Sequence, residues 1–115
     1  MSNWSGTEGR DWYLGLPDSD KLTFLVLVTG HLTIHGRASG LDLSGEAQTK
    51  AIKGLNELLH LISFHFEGIG RKQERYTDDL FLQALFEKAS LHGLSTQLTE
   101  SLDYARTRPH WEQAD

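Results

Sequence analysis

Two histidines one helical turn apart, His31 and His35, and the run Glu57-Leu58-Leu59-His60 carry the side chains of this sequence best suited to chemistry. Side chains four residues apart share one face of a helix. Two imidazoles at that spacing can bring their ring nitrogens to a single divalent cation. A Glu-x-x-His motif on a helix supplies a carboxylate and an imidazole three residues apart. Di-iron bundles use two such motifs together with two further inward carboxylates. This chain has one such motif. Glu87 and Glu100 offer carboxylates, but neither is followed by a His three residues on. Glu57 and His60 also fall opposite the apolar series Ala51, Leu55, Leu58 and Ile62, so they are expected to face away from the core. Asn56 adds an amide beside Glu57 and His60. These three are candidates for recognising a small polar ligand, or for the polar rim of a buried interface.

Whether His31, His35, Glu57 and His60 can meet depends on the helices that carry them. An antiparallel hairpin about a loop near Leu41 leaves His31 offset from Glu57 by roughly 7 Å along the axis at 1.5 Å of rise per residue. Metal–nitrogen bonds are near 2 Å, so one chain does not close that gap. A divalent metal at these four residues is therefore expected only as a site shared across a two-fold dimer. No cofactor is expected otherwise. The plainer expectation for His31 and His35 is a place at the edge of the core or on a self-association surface. His65 is expected inside the fold and His92 near the last carbonyls of the third helix. His110 lies in the tail.

Other catalytic patterns fit poorly. Gly68-Ile69-Gly70 lacks a third glycine and follows a helix instead of a strand, which argues against a dinucleotide loop. No P-loop and no G-x-S-x-G turn is present. Ser63 lies near His60 and His65, but a helix interior is a poor place to present a nucleophile.

The elements that would position these residues are helices. Lys21 to His35 is apolar almost all the way round. A helix without a polar face has to be covered on both sides, and 115 residues leave few other elements to cover it. The sequence therefore predicts an all-α protein that hides surface against a second copy, with Phe24, Leu27, Val28, His31 and Phe64 in the contact. The stretch Thr23 to Thr29 also suits a buried strand, but no other segment offers a partner strand to pair its backbone. The apolar run from Leu22 to Ile34 is short of the about 20 residues that a membrane span needs.

Helix one is expected to start after Pro17, with Asp18 or Ser19 as its cap. A loop then runs from about Ala38 to Ser44. Helix two is expected over about Gly45 to Glu67, helix three from Thr77 to Gly93, and helix four from Ser95 or Thr96 to before Pro109. Short loops favour an up-down bundle of about four helices. Residues 1–16 read as an N-terminal arm, partly mobile, with Trp12 to Leu16 docked. Residues 17–107 read as the helical domain and 108–115 as a C-terminal tail.

The net charge of −5 argues against sequence-independent nucleic-acid binding, which needs Lys and Arg to neutralise phosphates. The basic cluster Arg71, Lys72 and Arg75 reads as a solvated connector. No cysteine is present, which removes disulfides and thiolate sites and suits a reducing cytoplasm. Met1 to Gly15 does not have the form of a secretory signal. Two functions follow as expectations. The first is a self-associating adaptor or regulatory domain without catalysis. The second is a metal-dependent or small-ligand enzyme using the His/Glu cluster.

Overall fold

The computed structural model describes residues 8–70 and 78–107. Expectations for the extreme N-terminus, the connector 71–77 and the tail from 108 lie outside the described residues. Among the described residues the chain is all-helical. The order is α1 (Glu8–Leu14), α2 (Asp18–His31), a π-helical turn (Leu32–Gly36), α3 (Arg37–Leu41), α4 (Gly45–Gly70), α5 (Asp78–Leu91) and α6 (Ser95–Arg106). Since α2, the π turn and α3 run on without a break, there are five separate rods. The strand alternative for 23–29 is absent. No described helix is long and apolar enough to cross a membrane.

α1 is a helix that a reading for periodicity passes over. Seven residues are too few to hold a helix in water, so its stability comes from docking. Tyr13 is fully buried, and Trp12 meets the Phe24 ring edge-on at 5.3 Å between centroids. Arg106 closes the contact from α6. Its Nη2 donates to Glu8 Oε1 at 3.1 Å and its guanidinium lies 5.2 Å from the centre of the Trp12 ring. The expected docking of Trp12 is thus borne out, but as part of a short helix.

Pro17 precedes α2, and its carbonyl accepts from Asp20 and Lys21. The expected side-chain cap from Asp18 or Ser19 is not made: both lie at or inside the start, and Pro17 holds the cap position. α2 and the π turn pack on α6 and on α4, with Phe24, Leu25 and Val28 of α2 and Leu32 of the π turn buried.

The expected loop from Ala38 to Ser44 is shorter in the structure, because the helical rod continues to Leu41. Gly36 and Gly40 are not helix breakers here. They are contact points where α4 comes close. A Cβ on Gly36 would lie 2.9 Å from a Leu55 methyl, and one on Gly40 would lie 2.7 Å from Ile52 Cδ1. Gln48 fastens the bend by donating to the carbonyls of Leu41 and Leu43.

α4 buries Leu55, Leu58 and Ile62, as its spacing predicts. α5 ends as the sequence predicts. Gly93 takes φ +70°, a left-handed conformation favourable to glycine, and Leu94 N–H donates back to Ala89 O at 2.7 Å. α6 buries Leu98, Leu102 and Ala105, and adds Ser101 to that face.

Candidate functional site

The π turn sets the geometry of the first candidate pair. A π-helical turn holds one more residue than an α turn, so side chains four apart come nearly into line. His31 and His35 stack with centroids 4.1 Å apart. Tyr104 of α6 stacks on the other side of His31 at 4.4 Å, and Ser101 Oγ lies 2.8 Å from His31 Nδ1. His31 is half-buried inside this sandwich, while His35 faces solvent. The pair is therefore a ring stack bonded to a hydroxyl.

The electrostatics follow from the stack. Burial pushes the His31 pKa below its usual 6.5, and neighbouring His35 lowers it further, while the Glu100 carboxylate pulls the other way. A lowered folded value means that the unfolded chain binds the proton more readily. The stability contributed by neutral His31 is present above pH 6.5 and is lost as pH falls through the folded value. His31→Phe keeps a ring in the sandwich and removes the titration. We expect urea midpoints measured at about pH 7.5 and about pH 5 to differ less in this variant than in the parent. An unchanged difference would remove His31 from the acid response.

The remaining sequence candidates do not join this pair. Glu57 turns toward α5. Its Oε2 lies 2.9 Å from His92 Nε2 and its Oε1 lies 3.5 Å from Lys88 Nζ. The 2.9 Å approach has ion-pair distance without the alignment of a good hydrogen bond. Asn56 and His60 are exposed on the outer side of α4. The expectation that Glu57 and His60 share an outward face is thus corrected. α4 is packed by α2 on one side and α5 on the other, and Glu57 sits at the edge of the second contact. A metal site formed within one chain by His31, His35, Glu57 and His60 is not assembled. Among the described residues no group of three or more His, Asp or Glu is arranged to hold a metal ion.

The proposed contact residues also separate. Phe24 and Val28 are fully buried by the chain's own residues, Leu27 and His31 are partly covered, and only Phe64 is exposed. An apolar helix does not reveal from sequence which side its own chain will cover. The side left open carries Val26, Gly30, Ile34, Ala38 and Leu41. Val26, Ile34 and Leu41 are 56%, 67% and 61% exposed, and no charged residue falls between Lys21 and Arg37.

Of the other histidines, His65 is buried and lies flat against Phe81, with centroids 3.9 Å apart. His92 was expected at the end carbonyls of its helix, and instead packs across to α4. A Cβ on Gly54 would lie 2.6 Å from His92 Cβ. Ser101 and Tyr104 went unnoticed in the sequence. The available signal was Ser101 inside the Leu98-Leu102-Ala105 series, where a small polar residue on a buried face needs a partner. No protein-family model, curated protein or solved structure matches this chain.

Proposed function

We propose that this protein is a non-catalytic helical domain that pairs with a second copy of itself and acts as an adaptor or regulatory subunit. The observation that carries the reading is the outer face of the α2–α3 rod, uncharged from Leu22 to Gly36, with Val26, Gly30, Ile34, Ala38 and Leu41 all exposed. Large apolar side chains in water are costly, and a continuous apolar face marks an association surface.

The pattern favours a second copy over an unrelated partner. Val26 and Ile34 stand one turn either side of Gly30, whose missing side chain leaves open space. A two-fold axis at Gly30 would set Val26 of one copy opposite Ile34 of the other, knob against knob's neighbour, with the two glycines allowing close approach. Such a face is self-complementary, as a two-fold contact requires. A cytoplasmic setting fits a chain without cysteine.

Sedimentation equilibrium tests the proposal. The parent protein is expected to be dimeric at low micromolar concentration, and Ile34→Glu monomeric with unchanged helical circular dichroism. A parent protein that stays monomeric to about 100 μM would overturn it, since that corresponds to less than about 5.5 kcal/mol of association.

A further inference from the structure

A cleft of about 430 Å³ opens where the α3–α4 bend meets the α5–α6 turn. That size lies in the usual range for small-molecule sites. The chain carries 16 acidic residues and a net charge of −5, yet none of the residues lining the cleft is acidic, and Lys50 and His92 stand in its wall. Leu43, Leu91 and Leu94 supply apolar surface. Leu43 and Leu91 are among the exposed large hydrophobic side chains of the chain. Gln97 completes the wall, and its Oε1 is buried with no hydrogen-bond partner. Buried acceptors are nearly always paired, so an unpaired one beside a cavity calls for a donor from a ligand or a water.

We propose that this cleft binds a small organic anion: a carboxylate on an apolar body that also carries an N–H or O–H donor. The carboxylate pairs with the Lys50 ammonium. The apolar body lies on Leu43, Leu91 and Leu94. The donor serves Gln97 Oε1. The cleft touches α3 through Ser39 and Gly40, but none of Val26, Gly30, Ile34, Ala38 and Leu41 lines it, so the assignment does not rest on self-association.

Indole-3-acetate is a suitable probe, since it carries all three features. Titrated into the isotopically labelled full chain, it is expected to give saturable amide shifts at Gly40, Lys50, His92 and Gln97. Lys50→Met is expected to weaken binding about tenfold, the loss of one charge-assisted bond. Naphthalene-1-acetate, which lacks the N–H, is expected to bind more weakly to the parent and equally well to Gln97→Leu. Three results would overturn the proposal: no saturable shift at about 10 mM probe, shifts confined to residues outside the cleft, or indole-3-acetamide binding as tightly as the anion.

Discussion

Phe24→Ala is expected to destabilise the protein by about 3–5 kcal/mol, the usual loss for a fully buried phenylalanine. The ring has no exposure and sits where α1 docks on α2. Trp12 meets it edge-on and Tyr13 lies tilted beside it at 5.5 Å. Aromatic pairs of this kind add to simple burial, so the loss falls at the upper end. A domain of this size is stable by about 5–15 kcal/mol, and the variant can lose a large part of that. α1 is too short to persist without its dock. Detachment of α1 should therefore precede global unfolding. Chemical denaturation followed by far-ultraviolet circular dichroism measures the stability loss. Tryptophan fluorescence reports the release, because Trp12 leaves an apolar contact. A loss below about 1 kcal/mol would mean that α1 and α2 do not share this packing.

Gly54→Ala is the second large effect, and its sign is unusual. Alanine in a helix interior normally stabilises by about 0.5–1 kcal/mol relative to glycine. Here the new methyl would lie 2.6 Å from His92 Cβ and 2.7 Å from His92 Cγ. The nearer atom, Cβ, is fixed by the backbone, so a rotamer change can move Cγ but not relieve the 2.6 Å contact. α5 must shift away from α4, and that shift pulls at the Glu57 contacts to His92 and Lys88. Overpacking of this kind costs about 1–3 kcal/mol, which outweighs the gain in propensity. Gly40→Ala is the internal control. Its close neighbour is Ile52 Cδ1, the free end of a flexible side chain, and its cost should be smaller. Thermal midpoints of the two variants decide the matter, and a Gly54→Ala protein more stable than the parent would refute the close approach of α4 and α5.

The helical class was legible because the series on α4 and α6 repeat at helical spacing and because Gly45 and Gly93 mark boundaries that local geometry enforces. Both take positive φ. α1 was not legible, since seven residues show no period and the element exists through its dock on Phe24 and on Arg106, the latter far along the chain. The glycines at 36 and 40 misled for a related reason. A glycine admitted for close packing looks the same in a sequence as one admitted for a turn. The site was half legible. The spacing of His31 and His35 placed them together, as the 4.1 Å stack bears out, but their partners Ser101 and Tyr104 come from α6, and no local pattern connects residues seventy apart.

The π turn at Leu32–Gly36 has a further effect on how this gene product tolerates change in length. Each residue in a regular helix advances the chain by about 100°. Removing one residue from the widened turn would restore ordinary coiling and leave the rod beyond it in phase, so that Gly36 and Gly40 still meet Leu55 and Ile52. The same loss within regular α2 would instead rotate everything beyond it by about 100° and part the rod from α4.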